Sequence, residues 1–497
     1  MEAAQVLAGN LQLEGFASYA QCYGGHQFGH WAGQLGDGRA ITLTELLHPE
    51  TGQRWELQLK GAGKTPYSRR ADGKAVLRSS LREFVGSEAM AALGVPTTRA
   101  LSLVTTGDGV LRDQFYNGNA RLEPGAVVCR VAPSMLRFGS LELPYARNER
   151  DVLRRLVEYA IRHHYPDLAD LPWNARVAAW TREVCARTGR LFAAWQAVGF
   201  THGVINTDNM SLLGLSIDYG PFAFLERFDP AFTPNTTDAA RRYCYGNQPQ
   251  IGLWNCERFA TAALGALEGS DEGGDDGDNG DEEAAAQSEM FQAACAAYVD
   301  AFQSDWHERM RRKLGLKAWR GGGGGDEELL QRMFEAMAAC AVDFTNFFRA
   351  LSGVSAASTV QGALAVVEPT MRIGRDAEPE DQAALEQQGG DSVDEAGRAQ
   401  MMRRWLAEYI DRLAAEAAEW DDAERVRVMD ASNPKYVPRN HLLQVAIEGA
   451  EGGSSAELDR LMEVLARPYE EQPDAEAQGY ADPAPQWADV PGVKQLS

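Results

Sequence analysis

Residues 201–221, THGVINTDNMSLLGLSIDYGP, decide how the rest of the chain is read. A short apolar ladder, Leu212, Leu213, Leu215 and Ile217, is bracketed by Asp208-Asn209 on one side and Asp218 on the other. Short β-type runs bounded by polar turns predict a hairpin. One end would carry a carboxylate and an amide, and a second carboxylate would return to meet them. Oxygen donors converging from two strands suit a hard cation such as Mg2+, which takes few protein ligands and keeps other positions for water and phosphate. Two ordinary Asp/Asn turns around a hairpin give the same pattern, so the surrounding chain has to decide.

Upstream, YGGHQFGHWAGQLGDGRAITLTELL holds Gly24, Gly25, Gly29, Gly33, Gly36 and Gly38. Glycine at this density lets backbone amides approach a ligand or permits tight turns. The Gly36-Asp37-Gly38 turn leads into an alternating strand with Ala40, Ile41, Leu43 and Leu46, and the pattern predicts a hairpin. In RWELQLK, Trp55, Leu57 and Leu59 share one strand face, with Glu56, Gln58 and Lys60 on the other. Gly63-Lys64-Thr65 imitates the end of a Walker A loop. Gln58 stands where that motif needs Gly, and Pro66 removes a donor where its helix should begin, so a P-loop is excluded.

Ser79 or Ser80 can cap a helix whose apolar stripe is Leu77, Leu81, Phe84, Val85 and Ala92, ending at Gly94-Val95-Pro96. Glu83 and Glu88 both lie on it, and either could reach Lys60. A Gly-rich hairpin, a strand Lys, a helix Glu and later an Asp-Asn and an Asp follow the order of parts in a protein-kinase-like nucleotide site. Residues 97–132 read as strands, with Arg130 at the end and Arg137 after it. Such cations offset phosphate charge. Val177, Trp180, Val184, Leu191 and Trp195 mark the buried face of a long helix that stops at Gly199. Later helices are expected over 327–351 and 399–420, with Ser455 capping a short one.

The net charge of −23 is uneven, because nine acids and no Lys or Arg fall between Glu268 and Glu283. That composition predicts a disordered insert. Asp276 and Asp278 fail the calcium-loop pattern, which has Gly280 at its fifth position. No basic face for nucleic acid is evident, and no apolar run approaches the ~20 residues that span a bilayer. The seven cysteines never form CxxC, which excludes a disulfide framework or zinc site and points to a reducing compartment inside the cell.

YGGHQFGHWAGQLGDGRA, LQLKGAGKTPYSR, VLRSSLREFVGSEAM, RVAPSMLRFG, HGVINTDNMSLLGLSIDYGPF, YGNQPQIGLWN and NPKYVPRN together resemble the selenoprotein O family, the YdiU-like proteins. The resemblance implies an α+β, protein-kinase-like two-lobed fold with additional C-terminal helices. The chain then divides into an N-terminal lobe (1–133), a catalytic lobe core (134–265), the acidic insert (266–288), which is not a feature of that family, and a helical elaboration with a polar tail (289–497). Flexible linkers are expected at 321–325 and 374–397. The implied activity is transfer of AMP from ATP to hydroxyl side chains of target proteins, with Mg2+ or Mn2+ as cofactor. Nucleic acid and membrane are not expected as partners.

Carried over motif by motif, Gly36, Gly38 and Arg39 would contact the nucleotide, and Lys60 would bind phosphate and pair with Glu83. Asp72 and Gly73 would hold the adenine end, and Arg130 and Arg137 would contact phosphate. Asp208 would be the proton acceptor, with Asn209 and Asp218 as metal ligands and Asp218 also on the nucleotide side. Location by resemblance is the mitochondrion in a eukaryote and the cytoplasm in a bacterium. The sequence departs from the family in lacking its N-terminal segment and in having no Cys after Cys340. The rival readings are ordinary γ-phosphoryl transfer and a non-catalytic nucleotide-binding scaffold. Kinases separate the catalytic Asp from the metal Asn by four residues, whereas Asp208 and Asn209 are adjacent.

Overall fold

The alternation in ELQLK builds the sheet on which the site rests. In the computed structural model, which describes residues 2–114, 117–267, 280–322, 325–371, 395–490 and 492–495, β1 (Ala40–Leu47) and β2 (Arg54–Lys60) form an antiparallel hairpin. The Gly36–Gly38 turn is not its closing turn. β1 finds its hairpin partner downstream, across the turn that follows Pro49. The sheet continues through β3 (Ala75–Val76), β4 (Arg99–Arg112) and β5 (Arg121–Ala132) in the order β1-β2-β5-β3, with β4 also paired to β5. Gln58 lies directly opposite Arg130 in the β2–β5 register. Cross-strand partners share a face and side chains alternate with period 2, so Glu56, Gln58, Lys60 and Arg130 line one face. The opposite face packs Leu43, Leu59, Val127 and Cys129 with Val6.

Helix α1 (Leu77–Ala92) starts immediately after β3. Its N-cap is Val76, and Ser79 bonds back to the Val76 carbonyl at 3.2 Å. The expected serine cap is therefore wrong: pairing of Ala75 with Ala126 ends the strand directly at the first helical turn. Helix α2 (Phe138–Ala146) and α3 (Arg150–His164) lead to α4 (Trp173–Val198), in which Val177, Trp180, Val184, Leu191 and Trp195 are all buried and Gly199 follows as the cap.

The hairpin expected within 201–221 does not form. Phe200–Thr201 pairs with Ala223–Phe224, and the loop between them takes its backbone partners from elsewhere. Phe138 N bonds to the Met210 carbonyl, Leu212 N to the Leu136 carbonyl and Ser216 N to the Pro96 carbonyl, at 2.8, 3.0 and 2.9 Å. Leu212 and Ile217 are buried in the core, but the two arms never face each other.

Helix α5 (Gln248–Leu264) and α6 (Gly280–Lys313) pack along α4. A second core gathers Met333 and Met337 of α7 (Asp326–Ala339) against Trp405, Leu406 and Tyr409 of α8 (Glu395–Ala414). The helix expected over 327–351 is interrupted between α7 and Phe344–Ala350, and α8 ends before Ala417, which is exposed. Helix α9 (Asn440–Glu451) and α10 (Ala456–Leu465) brace α1 from behind, with the Tyr469 hydroxyl on the Leu93 carbonyl at 2.9 Å. Ser455 stands at the N-cap of α10 without a capping bond. The polar last 25 residues include a helical turn, Pro473–Ala477, and bury Ala475 and Tyr480. The core of the acidic insert (268–279, with the rejected calcium loop), Gly323–Gly324 and residues 372–394 lie outside the described residues. Among the described residues no helix is long and apolar enough to cross a membrane.

Candidate functional site

Lys60 ends β2 buried, not solvated. Its Nζ lies 2.7 Å from Glu83 Oε2 on α1 and 2.5 Å from Asp218 Oδ1. Arg130 NH1 bridges the same two carboxylates at 3.2 Å each, and its other terminal nitrogen donates to the Gln58 amide oxygen. The four groups form a closed, formally neutral ring that ties sheet, helix and loop together. Glu88 takes no part, because it forks onto Arg99 at 2.9 and 2.6 Å. Burial alone would raise the Asp218 carboxyl, but Lys60, Arg130, Arg137 and Arg39 outweigh it and hold the group well below the usual carboxylate range. Asp218 adopts φ +61°, an uncommon backbone for a residue other than glycine.

The GDGR loop is fastened by Asp37, which sequence reasoning missed. Its buried carboxylate accepts from Gln21 N (3.2 Å), the Tyr23 hydroxyl (3.2 Å), Gln58 Nε2 (3.1 Å) and Arg137 NH2 (3.3 Å). The rejected Walker-like segment is the other half of the clasp: Thr65 and Ser68 hydroxyls bond to the Asp37 and Gly38 carbonyls at 2.6 and 2.5 Å. Gly36 sits at φ +134°, and a Cβ there would lie 2.5 Å from the Tyr67 ring, so only glycine fits. At the far end of the cavity, Arg112 grips Asp72 with two bonds of 2.7 and 2.8 Å and also donates to the Lys74 carbonyl at 2.8 Å. The Arg112 bond holds the Asp72 carboxyl down at about 2. A Cβ on Gly73 would meet the Gly63 carbonyl oxygen at 2.2 Å, which fixes glycine there too.

Asp208 and Asn209 lie in a single 3-10 turn, Thr207–Asn209. Two buried side chains of α5 hold the loop that leads to it. Gln248 accepts from His202 N and donates to the Phe200 carbonyl, both at 2.9 Å, and Asn255 donates to the Ile205 carbonyl at 3.0 Å. Asn209 Nδ2 donates to the Val204 carbonyl at 3.0 Å, which leaves its amide oxygen as the available donor atom. Arg137 NH1 reaches the Asp208 carbonyl at 2.8 Å and so links the GDGR clasp to the turn. Burial raises the Asp208 carboxyl to about 6, against the lowering effects of Gln27 and Arg137.

These pieces enclose a cavity of about 630 Å³. Gly36, Gly38, Arg39, Lys60, Asp72, Gly73, Arg130, Arg137 and Asp218 all line it, while Glu83 stands behind Lys60, and Asp208 and Asn209 lie outside its lining. The sequence reading missed Arg70, Lys74 and Arg112, which bring the lining to seven cations against three carboxylates. A chain of net charge −23 thus concentrates positive charge in one concavity, an arrangement that selects a polyanion. The signal for Arg112 was present only as strand alternation, since its partner Asp72 is 40 residues away. Among the described residues, no group of three or more His, Cys, Asp or Glu side chains could hold a metal.

A cation-lined concavity of this kind suits a phosphate-bearing ligand, and comparison with known proteins gives the class, nucleotidyl transfer. The model of the family described as protein adenylyltransferase SelO matches residues 2–466. The protein nucleotidyltransferase YdiU of Methylobacillus flagellatus is 46% identical over 483 residues, covering 97% of this chain and 84% of that protein. Its namesake in Nitrosospira multiformis is 47% identical over 512 residues (100% and 85%), and that of Azoarcus sp. 46% over 488 residues (98% and 85%). The chain belongs to the protein adenylyltransferase SelO family.

Proposed function

We propose that the chain transfers AMP from ATP to hydroxyl side chains of target proteins. The observation that carries this reading is the single cavity in which the GDGR loop, Lys60, Asp72-Gly73, Arg130, Arg137 and Asp218 meet. A hydroxyl oxygen attacks the α-phosphorus and forms the new O–P bond. The bond from that phosphorus to the bridging oxygen breaks, pyrophosphate leaves with the electron pair, and the hydroxyl proton passes to Asp208. Charge therefore builds on the leaving phosphates, where Lys60, Arg130 and Arg137 act as electrostatic stabilisers. Asp208 takes the proton late, so a carboxyl held at about 6 is basic enough near neutral pH.

The donor set fits a hard divalent cation. The Asn209 amide nitrogen is spent on the Val204 carbonyl, which leaves the amide oxygen as the ligand atom, and Asp218 is kept ionised. These two residues would hold Mg2+ or Mn2+, which supplies neutralisation of phosphate charge when bound. We also read the architecture as a kinase-like pair of lobes, residues 1–133 and 134–265, followed by a helical elaboration over 289–497. The strand-Lys to helix-Glu pair supports that reading. The seven free cysteines support a reducing compartment.

Incubation with ATP labelled at either the α- or the γ-phosphate tests the activity. The expected result is α-label on protein, lost in Asp218→Ala. Label from the γ-position would establish kinase chemistry, and nucleotide binding with neither label would establish a scaffold. Equal α-label in Asp218→Ala would remove Asp218 from the metal and nucleotide site.

A further inference from the structure

The stretch GGHQFG (24–29) lies outside the cavity lining, yet it is stitched to the acceptor turn almost residue for residue. Phe28 N donates to Asn206 Oδ1 (3.2 Å), His26 N to Thr207 Oγ1 (2.7 Å) and Gln27 Nε2 to Asp208 Oδ2 (3.1 Å). His26 Nδ1 lies 2.6 Å from Glu142 Oε1, and the second oxygen of Glu142 accepts from the Thr207 hydroxyl. The backbone comes so close that a Cβ on Gly25 would lie 2.9 Å from Asp208 Oδ1. This strap explains why the stretch is written with glycines around His-Gln-Phe.

Asp208 is 8% exposed and under-satisfied. A carboxylate offers about four acceptor sites. Among the described residues, the Gln27 amide is the one side chain that hydrogen-bonds it, and Oδ1 is buried without a partner. The nearby guanidinium of Arg137 goes to the Asp208 carbonyl instead. A cation on the carboxylate would cancel the charge that receives a proton, whereas a neutral amide orients it and leaves that charge in place. An unsatisfied oxygen on a buried carboxylate calls for an explanation, and a catalytic role is one.

We propose that Gln27 is a positioning residue for AMP transfer, its amide fixing the Asp208 carboxylate in the orientation that receives the acceptor hydroxyl. The proposal rests on the reading of Asp208 as proton acceptor. Gln27 acts through Asp208 and makes no contribution to the nucleotide cavity.

The test compares wild type, Gln27→Met and Gln27→Glu, with α-labelled ATP as donor and the chain's own hydroxyl side chains as acceptor. Gln27→Met keeps length and flexibility and removes the donor. At saturating ATP it is expected to lower the rate of label transfer roughly ten- to hundred-fold, with the ATP Kd within about twofold of wild type. The thermal unfolding midpoint should not move. Gln27→Glu places a second carboxylate beside Asp208 and should lose more than Gln27→Met. Undiminished transfer by either variant overturns the positioning role alone. A loss matched by weakened ATP binding or a lowered midpoint assigns Gln27 a structural role and also overturns it. Wild type that takes up no α-label overturns the AMP-transfer reading and this role with it.

Discussion

Glu56, Gln58 and Lys60 occupy the polar face of β2, and all three are buried. Lys60 and Gln58 find partners in the site, whereas Glu56 finds few: its Oε2 is buried with no hydrogen bond. Burial is the main cause that lifts its carboxyl to about 7 from an ordinary 4.5, opposed by bonds from Met135 and Ser134. A carboxyl raised on folding gives stability that is complete below the unfolded value and lost as pH rises through the folded value. The wild-type chain should therefore lose stability between about pH 4.5 and pH 7 on this account. Glu56→Gln removes the ionisation. It is expected to stabilise the protein on the order of 3 kcal/mol at pH 8, the free energy of a shift of this size, and to change little at pH 4. Denaturant unfolding at the two pH values checks this, and an equal effect at both would show that folding leaves the Glu56 carboxyl unshifted.

At the level of elements, α5 supports the loop from Phe200 to Asn206 through Gln248 and Asn255, seven positions apart on one helix face and both fully buried. Gln248→Leu would strand the His202 N–H and the Phe200 carbonyl away from water, at about 1–3 kcal/mol for each unsatisfied group. The expected outcome is a lower unfolding midpoint and faster amide hydrogen exchange over residues 200–206, with exchange in β1 and β2 unchanged. The two glutamine bonds also show where sequence reading stops. Helical periodicity placed α1 and α4, and strand alternation placed β1 and β2, because those signals are local. The alternation in β2 separated Glu56, Gln58 and Lys60 from Trp55, Leu57 and Leu59, but it carries no information about which face meets the cavity. The hairpin expected around Leu212–Ile217 failed for a related reason. Its backbone partners, Pro96, Leu136 and Phe138, are at least 70 residues upstream by number, beyond any local pattern. Motif resemblance marked Lys60, Asp208 and Asp218, which the fold brings to one region. It was silent on Asp37, Arg112 and Gln27, whose roles depend on what they touch across the chain.

Across the whole molecule, the NPKYVPRN segment shows how distant regions are held in register with the site. Arg439 is 1% exposed, pairs with Glu226 and forks onto Asp343 at 3.0 and 3.1 Å. Glu226 follows the strand that closes the 201–221 loop, and Asp343 caps Phe344–Ala350 by accepting from Asn346 N at 2.9 Å. One guanidinium thus joins the exit of the 201–221 loop, the second hydrophobic core and the C-terminal helices that brace α1. Burial pushes the Glu226 carboxyl up even with Arg439 beside it. Removing the cation in Arg439→Met leaves the buried Asp343 and the partly buried Glu226 carboxylates without their partner, and breaking a buried pair in this way costs about 3–5 kcal/mol. Without the guanidinium, which now opposes the effect of burial, the Glu226 carboxyl would titrate higher still in the folded state. The penalty is then full at alkaline pH and shrinks as acidification protonates Glu226. Arg439→Lys keeps the charge but loses the two-pronged geometry, so it should fall between wild type and Arg439→Met. The check is the unfolding free energy of all three at pH 5 and pH 8. A Met variant as stable as wild type at pH 8 would show that packing rather than charge holds the C-terminal helices to the site.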